Sequence, residues 1–131
     1  MILTQIAFAL LLITTQATVV LNPITSITTK NLMYTGTIDV LDTEKLFFTY
    51  YGIDGETNAD NLSNNPTIIA VGTPGRSAQY MNLGGIGPKI LSIDGAVSDN
   101  ANRATQYANV MFIDLLGSGF SFASSPSVLP K

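Results

Sequence analysis

The chain has 131 residues, 46% of them hydrophobic, with six basic and nine acidic side chains and a formal charge of -3. That length suits one small domain, and the lack of any basic run weighs against binding a phosphate backbone. No cysteine and no histidine occur, which excludes disulfide staples, thiol chemistry, the usual zinc sites and a self-contained Ser-His-Asp system.

Met1 to Thr29 carries no charge, and Ile6 to Ile13 is almost wholly apolar before polar Thr14, Thr15 and Gln16 and small Ala17. This predicts a secretory signal over residues 1–20, although a basic residue near the start is missing. A membrane anchor or a core segment is the alternative, but the apolar core is much shorter than the roughly 20 residues that cross hydrocarbon. Residues 21–131 are expected to form the folded part, without a later membrane span.

Leu32 to Leu41 and Leu46 to Tyr51 read as strands joined at a polar Asp42-Thr43-Glu44 corner, the second rich in aromatic residues. Gly52 to Asn65 is a polar connection of turn formers. Within it, Asn61-Leu62-Ser63 is an N-glycosylation acceptor. Pro66 leads into Thr67 to Val71, a short strand expected at the centre of a sheet. The segment from Gly72 to Gly85 turns sharply and starts a short helix near Ser77, with Ser77 as its cap and Gly84-Gly85 as its end. A polar stretch follows Ile93.

Val110 to Ile113 is then a charge-free apolar run closed by Asp114, with Gly117 and Gly119 allowing a bend. A buried parallel strand hands over in this way to a loop at the functional edge of an α/β sheet. No repeat and no internal domain boundary is visible.

Few residues suggest chemistry on their own. Gly72-Thr73-Pro74-Gly75 lacks the spacing and lysine of a P-loop, and nothing has the GxSxG form of a nucleophile elbow. Ser118 is expected to fill a corner. The carboxylates Asp39, Asp42, Glu44, Asp54, Glu56, Asp60, Asp94 and Asp99 read as solvated turn residues. Asp114 stands apart, since it ends a buried strand, and its expected role is to organise backbone hydrogen bonds.

Several of these pieces, in this order, resemble the N-terminal part of the serine carboxypeptidase family, peptidases of the α/β-hydrolase fold. Tyr34-Thr35-Gly36 with Phe47-Phe48-Thr49-Tyr50-Tyr51 resembles the opening hairpin, and PTIIAVGTPGRSA (Pro66 to Ala78) resembles a strand with an NGGPGCSS-type loop. Gly87-Pro88 resembles the downstream GP pair, and NVMFIDLLGSGFSF (Asn109 to Phe122) resembles NVLFIDQPVGTGFSY.

The resemblance implies a partial α/β-hydrolase fold, with an N-terminal β-hairpin and part of a central mixed sheet, and hydrolysis of C-terminal peptide bonds as the family activity. It implies an oxyanion-hole loop at Gly72, Thr73 and Gly75, with the backbone at Thr73 in the donor position. Val71 and Arg76 fall at substrate-binding positions, but Val71 replaces an asparagine that would bind a terminal carboxylate and Arg76 replaces a cysteine. Gly85 stands where a glutamate joins carboxylate recognition. The nucleophile and its partners lie outside the matched region, so residues 1–131 are expected to be inactive alone.

No cofactor or metal is implied. A peptide substrate or a protein partner, and a secretory, extracellular or lysosomal/vacuolar location, are the corresponding expectations. A non-catalytic secretory binding protein derived from the fold, and a small β-rich domain with an accidental likeness, are the alternatives.

Overall fold

The structure is a computed structural model and describes residues 19–23, 31–41 and 44–122. The predicted signal lies outside these residues except for its last two, which begin the first strand. The Asp42-Thr43 corner also lies outside them.

Among the described residues seven strands are formed, in chain order: β1 (Val19–Pro23), β2 (Met33–Leu41), β3 (Glu44–Tyr51), β4 (Thr67–Val71), β5 (Lys89–Leu91), β6 (Val97–Asp99) and β7 (Asn109–Ile113). Five build one mixed sheet in the order β1-β2-β3-β7-β4, while β5 and β6 pair as a separate antiparallel ribbon. β2 and β3 are antiparallel, with Thr35 opposite Thr49 and Gly36 opposite Phe48. β7 lies antiparallel to β3 and parallel to β4, so β4 and β7 end at the same rim of the sheet. This is the partial α/β architecture expected from the sequence.

β7 has no charged side chain because it is enclosed by strands on both sides: Asn109, Val110 and Phe112 are fully buried. Tyr51, Ala78, Val110 and Phe112 form the core, with Met33, Ala70, Met81 and Ala104 packed around them. The Tyr51 and Phe112 rings meet edge to face, with centroids 6.2 Å apart, a geometry favoured by the ring quadrupoles.

β4 departs from expectation. It has the predicted bounds, but it is the last strand of the described sheet and not a central one. Ile68, Ile69 and Val71 are 41%, 58% and 46% exposed. A short apolar run carries the same signature whether one or both of its edges are paired.

The helical segment after Ser77 is also longer than predicted. A single turn at Gln79–Met81 widens into a π-type turn over Asn82–Ile86, running through Gly84 and Gly85. It ends at Gly87, whose N–H bonds the Asn82 carbonyl at 3.1 Å. β5 lies just before, and β6 within, the stretch after Ile93 that read as a polar connection. Asp94 accepts from Ala96 N and Gly95 has φ +84°, forming the ribbon's turn.

Candidate functional site

The parallel pairing of β4 and β7 brings two loops together at their carboxyl ends, the edge where open α/β sheets commonly place their sites. After β4, the Gly72 amide donates to the Ile113 carbonyl at 2.9 Å, extending the ladder one residue beyond the strand. Thr73 to Arg76 then forms a tight turn, with the Arg76 amide on the Thr73 carbonyl at 2.9 Å and Gly75 at φ +75°. Proline at the second position and a left-handed glycine at the third are what a type II turn requires.

Asp114 joins the two loops. Its side chain is wholly buried. One carboxylate oxygen accepts from the Ser77 hydroxyl at 2.7 Å and the Ala78 amide at 2.6 Å, and the other from the Phe120 amide at 3.0 Å. Three donors, two of them backbone amides, replace the water a buried carboxylate would lose. Gly119 has φ +54°, and a β-carbon there would collide with the Asp114 carboxylate and the Ser77 hydroxyl. The Ser121 hydroxyl donates to the Asp114 carbonyl at 2.7 Å and accepts from the Phe47 amide at 2.8 Å, pinning the returning chain to β3. Asp114 thus organises backbone hydrogen bonds, the role expected of it.

The two serines near this rim are committed to structure. Ser77 Oγ also accepts from the Gln79 amide at 3.0 Å, a local serine turn, while the cap position of the helical turn falls one residue later than expected, at Ala78. Ser118 is buried and its hydroxyl donates to the Leu115 carbonyl at 2.9 Å. Val71 is the last residue of β4 and half exposed. Arg76 is exposed, with its guanidinium 5.0 Å from the centre of the Tyr80 ring. Gly85 has open space where a side chain would stand. Asn61 is exposed on the 3-10 turn Ala59–Asn64, its side-chain amide 3.4 Å from Glu56.

Three of the other carboxylates pair with cations, and Glu44, read from the sequence as a solvated turn residue, is instead buried at the start of β3. Asp39 pairs with Lys45 at 2.6 Å and Asp99 with Lys89 at 2.5 Å. Asp54 was expected in a solvated turn but binds Arg103 at 2.6 Å and receives Asn31 Nδ2 at 2.8 Å. Burial pushes the Asp54 carboxyl up, yet the Arg103 and Asn31 hydrogen bonds and the Arg103 charge outweigh it and hold the group below the usual carboxylate range. A cleft of about 410 Å³ lies here, lined by Asn31, Asp54, Lys89, Asp99 and Arg103 among others. Its charges are matched within its own walls. Among the described residues no group of three or more potential ligands could hold a metal ion.

Sequence reasoning missed a set of buried amides. Asn109 accepts from the Ile53 amide at 3.0 Å and donates to the Leu62 carbonyl at 2.7 Å. Asn100 donates to the Gly85 and Gly87 carbonyls at 2.7 and 2.8 Å, fixing the end of the π-type turn. Asn82 donates to the Tyr51 phenol at 3.1 Å. Burial raises that phenol above its ordinary value, and the Asn82 bond opposes the rise.

Over 82 residues the chain is 39% identical to the pheromone-processing carboxypeptidase kex1 of Schizosaccharomyces japonicus, a match covering 61% of this chain and 15% of that protein. It resembles a serine carboxypeptidase. The crystal structure of Kex1(delta)p, a prohormone-processing carboxypeptidase from Saccharomyces cerevisiae, superposes with a TM-score of 0.57 at 23% identity. That superposition covers 76% of this chain and 23% of the yeast chain, and it supports the fold. No family model matches the chain. Among the described residues no helix is long and apolar enough to cross a membrane.

Proposed function

We propose that this chain is the opening part of a serine-carboxypeptidase-like protein and that residues 1–131 bind peptide without cleaving it. The observation that carries this reading is the shared rim of β4 and β7, where Ser77 and Ala78, directly after the Gly72–Arg76 turn, are tied to the Gly117–Phe120 loop through Asp114. In serine acyl transfer a hydroxyl attacks the carbonyl, histidine takes its proton, and backbone N–H groups stabilise the oxyanion. This chain would contribute the last of these from the Gly72–Gly75 loop, with the backbone at Thr73 as donor, since the Gly72 N–H is already taken by the Ile113 carbonyl. Having no histidine, it lacks the proton carrier of that system.

Residues 1–20 would direct the protein into the secretory pathway, towards an extracellular, lysosomal or vacuolar destination. Residues 21–131 would form the folded part, and Asn61 would carry a glycan. Val71 would offer apolar contact in place of the hydrogen bond that asparagine makes at that position in the family.

The test is labelling of the purified chain with a fluorophosphonate, together with an assay for release of the C-terminal residue from a free-acid peptide. The expected outcome is no labelled serine and no release. A serine labelled stoichiometrically, with turnover, would overturn the reading. A second reading, a dedicated non-catalytic binding protein, is favoured by Val71, Arg76 and Gly85 standing where the family has groups suited to recognition or cross-linking.

A further inference from the structure

We infer that the cleft between the β5–β6 ribbon and the loop after β3 binds a small zwitterion, an apolar α-amino acid held by both of its charges. At about 410 Å³ the cleft is of a size that takes small ligands. It lies at the end of the sheet opposite the β4–β7 rim, since Asp54 follows β3, whose last residue, Tyr51, pairs with Val110 near the start of β7. Its wall is built from distant parts of the chain. Arg103 Nε and Nη2 reach Asp54 Oδ2 at 2.7 and 2.6 Å, and Asn31 holds the other Asp54 oxygen at 2.8 Å. Lys89 Nζ meets Asp99 Oδ1 at 2.5 Å.

The order of these charges selects the ligand. Arg103 stands between two carboxylates: the Asp54 hydrogen bond, with the charges of Asp54 and Asp99, holds its guanidinium above the ordinary value against the opposing effect of desolvation. With Lys89 paired to Asp99, the signs alternate along the wall and sum to zero. A lone anion or cation gains from two of these groups and loses to the other two. A zwitterion sets each pole against its opposite, its carboxylate on Lys89 and Arg103 and its ammonium on Asp99. The Asp54, Lys89 and Arg103 side chains are 25 to 28% exposed, so their fields are screened less than those of surface charges.

The ribbon adds an apolar shelf. Lys89 pairs with Asp99 and Leu91 pairs with Val97, two residues along each strand, so both pairs share one face of the ribbon. Leu91 and Val97 are exposed beside the ion pair, and the side chain of a bound leucine covers them.

The test is titration of the full chain with L-leucine, followed by proton–nitrogen NMR and compared with N-acetyl-leucine, leucinamide and glycine. Leucine is expected to shift the backbone amides of Lys89, Asp99 and Arg103 and to leave those of Ala78 and Phe120 at the rim unmoved. Loss of either charge, in N-acetyl-leucine or leucinamide, should weaken binding about tenfold, the size of one charge-assisted hydrogen bond. Glycine should bind more weakly than leucine for want of apolar contact. Asp99→Asn should abolish the discrimination against N-acetyl-leucine, and Lys89→Gln should reduce that against leucinamide. Unchanged Val110 and Phe112 amides in both variants would establish that the sheet is intact.

No shift at the cleft up to the solubility limit of leucine overturns the proposal, and so do shifts confined to Ala78 and Phe120. Equal affinity for leucine, N-acetyl-leucine and leucinamide overturns recognition of a zwitterion. A preference for leucine that survives both Asp99→Asn and Lys89→Gln overturns the assignment to this wall, and glycine binding as tightly as leucine overturns the apolar shelf.

Discussion

Asp114 is the residue on which the rim depends, because its oxygens satisfy donors from two loops that have no other link of this kind. Replacing it with asparagine keeps the size but sets an NH2 group against an amide, leaving at least one buried donor without an acceptor. Asp114→Asn is expected to cost about 2–4 kcal/mol in urea denaturation, from an unsatisfied buried donor and a lost charged hydrogen bond. Ser77→Ala removes one donor and should cost about 1 kcal/mol. Gly119→Ala should destabilise by more than the roughly 1 kcal/mol of an ordinary glycine replacement, since it combines positive φ with a collision. Equal stability of Asp114→Asn and the parent would contradict the role given to the carboxylate. Asp54 supplies a pH dependence of definite sign. Its folded value lies below its unfolded value of about 3.9, so its contribution is present above that pH and lost as pH falls through the folded value. Asp54→Asn should flatten the acid limb of a stability profile below about pH 4.

At the scale of elements, β7 is the keystone of the sheet because it bridges antiparallel β3 and parallel β4. Phe112 is fully buried against Tyr51, and Phe112→Ala should cost about 3–5 kcal/mol. Amide exchange can separate strand from loop: in Asp114→Asn, protection at Ala78 and Phe120 should fall together while Val110 and Phe112 stay protected. A parallel loss at all four would mean simple global destabilisation. The strands that matter here were legible in the sequence. Ile68 to Val71 and Val110 to Ile113 are uninterrupted apolar runs closed by glycine or aspartate, and those signals are local. Asp114's partners were not legible, because Ser77 and Ala78 lie 37 and 36 residues away and nothing local joins them. The β5–β6 ribbon was missed since its strands have three residues each and β6 is wholly exposed. The edge position of β4 and the buried asparagines depend on tertiary neighbours, which no local window contains.

At the scale of the molecule, β4 is, among the described residues, an apolar edge of the sheet without a single charged residue. Unpaired strand edges of this kind template association with other chains. Ile69→Lys, at the most exposed apolar position of β4, should reduce concentration-dependent association in sedimentation velocity while changing stability little. Unaltered association would remove the edge as its cause. The chain spans 15% of its Schizosaccharomyces relative and 23% of the solved yeast chain, and the proposal assigns it the oxyanion rim and one edge of peptide recognition, with the nucleophile elsewhere. The most direct test of that claim is to sequence the transcript from the source cells through its 3′ end. The account predicts a reading frame that continues past the Lys131 codon to a serine in a nucleophile-elbow motif, followed by aspartate and then histidine. A stop codon directly after Lys131 would contradict it.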